Sequence, residues 1–198
     1  SWYGGFQWTR LLWPFMWLVA WVVNKKRRQF LSAEKTHTVK PVVVVGNITV
    51  GGTGKTPLVQ ALVTHLKQQG IRPGIISRGY GAQVEDYPHL ISADDSSAVV
   101  GDEPYMLFRS LGVPVVIDPK RKQALEFISN MEVDVILSDD GMQHYDLPRD
   151  IEICVLDGVR NVGNGCLLPV GPLREPVSRL KAVDFALYSG LKEKTNQF

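Results

Sequence analysis

The stretch GNITVGGTGKTP, residues 46–57, has the residue types and spacing that bind nucleotide phosphates. Its glycines let backbone N–H groups approach phosphate oxygens without a clash at Cβ. Lys55 is long enough to reach the β- and γ-phosphates, and the hydroxyl of Thr56 can ligate magnesium. The stretch fits a GGxGKT pattern, although Thr49 stands where the strict GxxxxGK[ST] pattern has glycine. We therefore predict phosphoryl transfer from ATP with Mg²⁺, with nucleotide contacts from Thr49, Gly51, Gly52, Thr53, Gly54, Lys55 and Thr56.

The elements around this stretch are those that a phosphate-binding loop requires. Residues 42–45 form a short β-branched run, which is typical of a buried parallel strand. After the loop, Leu58, Leu62 and Leu66 recur on one helical face, and Gly70 ends the helix. A chance glycine turn would not need both neighbours, so the context favours phosphate binding.

Two carboxylates follow another predicted strand, residues 133–137. Asp139 and Asp140 come after it and Ser138, where ligands gather in open α/β sheets, and a phosphate loop needs a carboxylate for its magnesium. We predict that both aspartates are catalytic and that Thr56 and Asp139 hold the metal, although the sequence does not distinguish Asp139 from Asp140 as the ligand. An ordinary Asp-Gly turn is the alternative. His144 either orients a carboxylate or faces solvent.

A second acidic pair, Asp102 and Glu103, precedes Pro104. Either carboxylate can accept the proton of an attacking hydroxyl, which is the role that kinases give to an aspartate. The alternative is a helix N-terminus, with Asp102 as the cap, Glu103 near the positive end of the dipole and Pro104 in the first turn. The residues alone favour the cap, and the two roles are compatible.

Candidate substrate contacts lie mainly in two glycine-rich loops. Arg78 stands in SRGYG, residues 77–81, and an arginine can grip an anion with two hydrogen bonds. The second loop, NVGNGCLLPVGPLREP, spans residues 161–176, and loops this long in a compact domain usually serve function. The candidates are Arg78, Arg121, Asn164, Arg174 and Glu175, although a lone arginine more often serves only solvation of the surface.

The amino-terminal segment has a composition of its own. All five tryptophans lie within the first 21 residues, and the 13-residue apolar run at 11–23 leads into four basic residues at 25–28. Trp13, Trp17 and Trp21 share one helical face, with Pro14 in the first turn. Since a spanning helix needs about 20 apolar residues, we expect a helix in the membrane interface. A core helix, a signal peptide and a spanning helix that begins further upstream are the alternatives.

The composition of the whole chain suits one large α/β domain. Its 198 residues are 44% hydrophobic and 21% charged, which excludes a disordered tail. The formal net charge of +2 gives no support for nucleic acid binding. Cys154 and Cys166 lack CxxC spacing, and Cys154 lies in an apolar run, where we expect it to pack. This cysteine usage fits a reducing cytosol.

The order of strands and helices predicts an α/β, P-loop NTPase-like fold, with a mostly parallel sheet, helices on both faces and a site at the strands' carboxyl ends. The predicted strands cover residues 42–45, 74–77, 113–117, 133–137, 151–156 and 184–188, and the predicted helices cover 55–69, 104–110 and 121–130. We expect residues 1–30 to form the membrane-associated segment and residues 31–198 to form the kinase core.

Five motifs, in this order, resemble those of the tetraacyldisaccharide 4'-kinases of lipid A biosynthesis: VVVVGNITVGGTGKTP, SRGYG, GDEP, SDDGMQHY and GNGCLLPVGPLREP. The resemblance covers nearly the whole chain. It implies a bacterial enzyme at the cytoplasmic face of the inner membrane, which phosphorylates the 4'-hydroxyl of a tetraacylated disaccharide 1-phosphate to give lipid IVA. The implied partners are this acylated lipid and the membrane surface, with no nucleic acid and no obligate protein partner.

The resemblance also assigns roles that the residues alone leave open. It implies that Asp102 is the catalytic base and not merely a cap, and that Glu103 and Arg121 support the substrate site. Members of the family continue past position 198 into a portion with a histidine that assists the catalytic aspartate, and this chain begins at Ser1 without methionine. We therefore expect a fragment that binds nucleotide but turns over poorly or not at all.

Other classes of protein remain as alternatives to a kinase. A regulatory P-loop ATPase that docks on membranes often carries lysine before the glycine pair, where this chain has Val50. A GTPase needs an NKxD-like motif after the loop, but the only Asn-Lys pair, Asn24-Lys25, precedes it. A module that only binds membranes leaves the phosphate loop unexplained.

Overall fold

The computed structural model describes residues 2–3, 11–32 and 38–190, and the strands within them form a single sheet. The strands are β1, Val42–Gly46; β2, Pro73–Ser77; β3, His89–Leu90; β4, Val115–Ile117; β5, Val135–Asp139; β6, Ile151–Asp157; and β7, Phe185–Ser189. Their order across the sheet is β3-β4-β2-β5-β1-β6-β7, and every pair is parallel except β3 with β4. The prediction of a mostly parallel sheet is confirmed.

Helices cover both faces of this sheet, as predicted. They are α1, Trp13–Ser32; α2, Lys55–Gln68; α3, Ser97–Val100; α4, Asp102–Leu111; and α5, Arg121–Ser129, with a 3-10 helix at Val177–Ala182. Helices α2 and α4 bury Val59 and Leu107 in the core on one face, while α5 buries Ala124 and Ile128 in the core on the other.

The central strand β1 explains why the sheet is buried on both sides. Its β-branched side chains alternate, so Val44 joins the core under α5 while Val45 joins the core under α2. In the register of the sheet, Val45 lies opposite Asp139 of β5 and Ile153 of β6. Because the three strands are parallel, the loops that follow them leave the same edge of the sheet.

Several boundaries differ from the predictions. Strand β3 has two residues and helix α3 has four. Both are too short to show a periodic hydrophobic pattern, and neither is predicted. The strand predicted at 133–137 instead begins at Val135, because the N–H of Val133 is bonded to the carbonyl of Met131 in a turn. The strand also ends later than predicted, so that Asp139 is the last residue of β5. The strands predicted at 113–117 and 184–188 also begin later, at Val115 and Phe185.

Helix α1 carries an exposed apolar surface. It begins at Trp13 with Pro14 in its first turn, as predicted. Trp17, Leu18 and Trp21 are 71%, 60% and 60% exposed. No helix in the described part of the chain is long and apolar enough to cross a membrane.

The carboxyl end of α1 packs against the core domain. The ring of Phe30 lies 5.9 Å from the ring of Tyr145, and the guanidinium of Arg149 lies 4.9 Å from the centre of the Phe30 ring. The predicted membrane segment and core domain also include Trp8 and the tail 191–198, which lie outside the described residues.

Candidate active site

The phosphate loop leaves the carboxyl end of β1 and enters α2. Gly51 and Gly54 have φ angles of 102° and 82°, in the left-handed region that glycine tolerates. Within the described ranges, no group accepts a hydrogen bond from the N–H groups of residues 51–54. These donors therefore remain for phosphate oxygens, at the positive end of the α2 dipole.

A cavity of ≈ 790 Å³ opens at the same edge of the sheet. Side chains reach it from the ends of β2 and β5, from the first residues of α4 and α5, and from the loop before the 3-10 helix. Parallel strands thus bring together motifs that lie far apart in the sequence. The predicted site residues that line the cavity are Arg78, Asp102, Glu103, Arg121, Asp139, Asp140 and Arg174.

Asp139 is a buried carboxylate at the end of β5. Its Oδ1 has no hydrogen-bond partner among the residues that the structure describes. Burial, together with the negative charges of Glu103 and Asp140, raises the pKa of this carboxyl to about 6, although the positive charges of Lys55 and Arg121 oppose the rise. A cation placed beside an unpartnered carboxylate oxygen would reverse these effects, so the environment fits a metal ligand.

Asp140 lies between two cationic side chains. Its Oδ1 is 3.5 Å from Nζ of Lys55, and its Oδ2 is 3.3 Å from Nη1 of Arg174. Its φ angle of 50° is uncommon for a residue other than glycine. Backbone strain of this kind persists only where the surrounding structure holds it, and it concentrates at functional sites.

Arg121 is a buried cation in the cavity wall, with 1% of its surface exposed. Its Nη2 donates a 2.6 Å hydrogen bond to the carbonyl oxygen of Asp139, while Nε and Nη1 have no partner among the described residues. Burial lowers the pKa of the guanidinium to about 10, and the charges of Asp139 and Asp140 partly offset that effect. Its free donors are suited to an anion that enters the cavity.

Asp102 does not cap α4, so the predicted capping role is wrong. Gly101 occupies the N-cap position with a φ angle of 90°, and Asp102 is the first residue of the helix, without a side-chain capping bond. A Cβ at position 101 would lie 2.7 Å from the carbonyl oxygen of Tyr80, which excludes other residues there. Glu103 and Pro104 do occupy the first turn, as predicted. The Asp102 carboxylate is exposed and lines the cavity.

His144 lines the cavity and does not simply face solvent. Burial, together with the positive charge of Arg121, lowers the pKa of its imidazole to about 4. The ring is therefore neutral near neutral pH and can both donate and accept a hydrogen bond.

The sequence resembles known proteins over almost its whole length. A sequence model of the family described as LpxK, tetraacyldisaccharide-1-P 4'-kinase, matches residues 8–198. The chain belongs to this family. The tetraacyldisaccharide 4'-kinase of Hahella chejuensis is 49% identical over 203 residues, which are 98% of this chain and 60% of the relative. That of Aeromonas salmonicida is 50% identical over 192 residues, which are 96% of this chain and 58% of the relative.

The fold of the family is also known. A crystal structure of LpxK from Aquifex aeolicus in complex with ATP matches with a TM-score of 0.83 and 30% identity, over 96% of this chain and 61% of that chain. The predicted P-loop α/β fold is therefore confirmed. The chain spans about three fifths of the length of the tetraacyldisaccharide 4'-kinases that it matches.

Two predicted substrate residues of the tetraacyldisaccharide 4'-kinase motif GNGCLLPVGPLREP do not line the cavity. Asn164 holds its own loop, because Nδ2 donates to the carbonyl of Val170 and Oδ1 accepts from the N–H of Cys166, both at 3.1 Å. Glu175 is fully buried and accepts hydrogen bonds from Gln143, Tyr145 and Arg179. The substrate roles of both residues stay predictions.

The same motif supports the phosphate loop. Thr49 is buried and forms an antiparallel bridge with Leu173. The N–H of Val50 donates to the carbonyl of Pro172 at 2.9 Å, and the N–H of Arg174 donates to the carbonyl of Ile48 at 2.7 Å. Thr49 therefore fixes the start of the loop, and this pairing carries Arg174 into the cavity.

The side chains at the site that were not predicted include Gln143, Arg160 and Ser189. Gln143 lines the cavity and donates from Nε2 to the carbonyl of Asn47 at 2.9 Å. Its place in SDDGMQHY, beside Asp140, was an available signal. Arg160 and Ser189 touch the backbone of the phosphate loop. No local pattern could identify them, since they lie more than 100 residues further along the chain.

Proposed function

We propose that the protein is a lipid kinase, which transfers the γ-phosphoryl group of ATP to the 4'-hydroxyl of a tetraacyldisaccharide 1-phosphate and forms lipid IVA in lipid A biosynthesis. One observation carries the proposal: Asp102, Arg121 and the pair Asp139-Asp140 surround one cavity beside the phosphate loop. Membership of the tetraacyldisaccharide 4'-kinase family supports the choice of acceptor.

The phosphate loop is the proposed ATP site. Backbone N–H groups of residues 51–54 would bind phosphate oxygens, and the Lys55 ammonium, now 3.5 Å from Asp140, would reach the γ-phosphate. The ATP bound in the crystal structure of the Aquifex aeolicus relative supports this assignment.

Thr56 and Asp139 are the residues that we propose to hold Mg²⁺. Asp139 offers an unpartnered buried oxygen, and Thr56 follows Lys55 in the first turn of α2. Across the described residues, no group of three or more His, Cys, Asp or Glu side chains is arranged to hold a metal alone. Magnesium at nucleotide sites needs only one or two carboxylates, because phosphates and water complete its coordination. Bound there, Mg²⁺ would neutralise charge that develops on the phosphates.

Asp102 is the proposed base. As the 4'-hydroxyl oxygen forms its bond to the γ-phosphorus, the bond from that phosphorus to the β–γ bridging oxygen breaks and ADP leaves. Asp102 accepts the hydroxyl proton, for which an exposed carboxylate without a capping bond is suited. Lys55 and Arg121 would stabilise negative charge on the transferred group.

The acceptor carries a phosphate, and the cavity carries cations to bind it. Arg78 and Arg174 line the cavity wall. Arg174 lies 3.3 Å from Asp140, while Arg78 has no ion-pair partner in the part of the chain that the structure describes. We propose that these arginines, with Glu103, orient the disaccharide 1-phosphate so that its 4'-hydroxyl faces Asp102.

We propose that α1 brings the enzyme to the cytoplasmic face of the bacterial inner membrane. Its exposed tryptophans suit the headgroup region, and the basic residues at 25–28 suit anionic lipids. The packing of Phe30 on Tyr145 and Arg149 would hold the core domain, residues 31–198, beside the membrane segment, residues 1–30. An acylated acceptor stays in the bilayer, so the enzyme must meet it there.

Acceptor-dependent ATP consumption tests this function. ADP release by the natural full-length protein is measured with Mg²⁺ and ATP, with detergent-dispersed disaccharide 1-phosphate, with detergent alone, or with vesicles that lack the acceptor. A kinase releases ADP efficiently only with the acceptor. Release that is stimulated equally by bare vesicles would instead indicate a regulatory, membrane-docked ATPase.

A further inference from the structure

The backbone of the phosphate loop is polarised between residues 51 and 54. All four carbonyl groups accept hydrogen bonds from the protein: Gly51 from Asn47 Nδ2 at 3.4 Å, Gly52 from Arg160, Thr53 from Ser189 and Gly54 from the N–H of Leu58 at 3.3 Å. The four N–H groups donate to no acceptor within the described part of the chain. The protein therefore binds one side of this backbone and leaves the other for a ligand.

Arg160 holds the carbonyl of Gly52 from the loop after β6. Its Nη2 donates to that carbonyl oxygen, while Nε and Nη2 lie 3.0 and 2.8 Å from Oδ2 of Asp157. Asp157 is itself fixed, because Oδ1 accepts the N–H groups of Val159 and Arg160 at 2.9 and 2.7 Å. A Cβ at Gly51 would lie 3.2 Å from Nη1 of Arg160, so the guanidinium packs directly on the loop.

Ser189 holds the next carbonyl from the end of β7. Its Oγ donates a 2.7 Å hydrogen bond to the carbonyl oxygen of Thr53. A Cβ at Gly54 would lie 3.0 Å from Cβ of Ser189, a tight contact at a position whose φ angle of 82° already favours glycine. The N–H of Gly158 donates to the carbonyl of Ser189 at 2.7 Å, so the ends of β6 and β7 act on the loop as one unit.

We propose that Arg160 and Ser189 are positioning residues that pre-organise the phosphate loop for a nucleotide. In a planar trans peptide, the C=O of one residue and the N–H of the next point in opposite directions. Holding the carbonyl of Gly52 outward therefore turns the N–H of Thr53 towards the phosphate site. Holding the carbonyl of Thr53 does the same for the N–H of Gly54. The loop then needs no rearrangement when phosphate binds, which lowers the cost of binding.

This inference rests on the nucleotide site of the proposed function but not on its lipid acceptor. It is tested with Arg160→Met, which keeps the length of the side chain, and Ser189→Ala, which removes one hydroxyl, both in the natural full-length protein. Dissociation constants for Mg-ATP and Mg-ADP are measured by calorimetry. Each variant should weaken both nucleotides by about 5-fold, the effect of one net hydrogen bond, because the loop cradles phosphates that ATP and ADP share.

Matched controls separate this role from loss of charge or of stability. Arg72→Met removes an arginine that is also 2.8 Å from an aspartate, Asp134, but lies at the opposite edge of the sheet. Ser129→Ala removes a hydroxyl bonded to the carbonyl of Leu125 in α5. Both controls should bind nucleotides as the unaltered protein does. In turnover assays, the loop variants should raise KM for ATP by about 5-fold while kcat and the thermal midpoint change little.

Each outcome decides a different claim. Arg160→Lys, which keeps the charge but not the paired geometry, should bind as weakly as Arg160→Met. Full affinity in Arg160→Lys, or in both Arg160→Met and Ser189→Ala, would overturn the inference. If the unaltered protein binds no nucleotide, the proposed function itself fails. If the protein binds ATP tightly but never phosphorylates a lipid, only the acceptor assignment fails.

Discussion

Glu175→Ala is expected to destabilise the fold, because this carboxylate organises a buried polar cluster. Glu175 is fully buried, and its carboxylate accepts from Gln143 Nε2 at 2.8 Å, Tyr145 Oη at 2.7 Å and Arg179 Nε at 3.0 Å. Burial and the hydrogen bond to Glu175 raise the pKa of Tyr145, so its hydroxyl stays a donor. Removal of Glu175 leaves the buried Arg179 and the half-buried Gln143 and Tyr145 without this acceptor.

The size of the loss follows from known costs. Breaking a buried ion pair by removing one partner costs about 3–5 kcal/mol. Arg179 also pairs with Glu152, so part of its charge stays compensated. We therefore expect a loss of about 3 kcal/mol for Glu175→Ala. Because domains are stable by about 5–15 kcal/mol, the variant should still fold.

Urea denaturation measures this effect, with Glu132→Ala as the control. Glu132 has a 94% exposed side chain and lies 3.4 Å from Arg72, so its removal should change the unfolding free energy by less than about 1 kcal/mol. Glu175→Gln keeps one acceptor oxygen and should lie between the two. If Glu175→Ala were as stable as the control but raised KM for the lipid, the residue would contact substrate, and the reasoning here would be refuted.

Three further predictions concern helix α1, the half-buried His144 and the buried thiol of Cys154. Trp17→Glu should reduce sedimentation with anionic vesicles by about 10-fold or more without changing the thermal midpoint, whereas Val39→Glu, at a 94% exposed site outside α1, should not. The pKa of His144 is lowered to about 4 from 6.5, so the unfolded chain binds a proton that the folded chain does not. The unfolding free energy should therefore fall as the pH drops from 6.5 to about 4. Urea titrations at pH values above and below this range measure the fall, which should be smaller in His144→Gln. Burial raises the pKa of Cys154 to about 11, so thiol reagents should leave it unmodified in the folded protein at neutral pH and modify it in urea; fast modification without urea would contradict its burial.

The parts of the site that sequence could predict are those with local patterns. The phosphate loop has a strand before it and a helix after it, and Asp139 and Asp140 lie at the end of the strand β5. The convergence of these elements follows from the rule that parallel strands end at one edge of the sheet. The predicted helix 104–110 begins two residues late, because Gly101 and not Asp102 takes the cap position and α4 begins at Asp102.

The parts that sequence could not predict depend on contacts between distant residues. Glu175 belongs to the motif GNGCLLPVGPLREP, yet only the fold places it in a closed network with Tyr145 and Arg179. The sequence around Arg160 and Ser189 shows no motif, and only the ends of β6 and β7 place these side chains against the phosphate loop. Side-chain chemistry suggests what a residue can do, but its neighbours in space decide which of those roles it has.

The position of the transferred phosphate tests the central claim most directly. The natural full-length protein is incubated with Mg²⁺, ATP labelled in the γ-phosphate and detergent-dispersed disaccharide 1-phosphate, and the extracted lipid is examined by NMR. We predict label on the 4'-oxygen, with a rate that falls by about 10²–10⁴-fold in Asp102→Ala. The exposed Asp94→Ala variant should keep its rate. Label found only as free phosphate, or an undiminished rate in Asp102→Ala, would contradict the account.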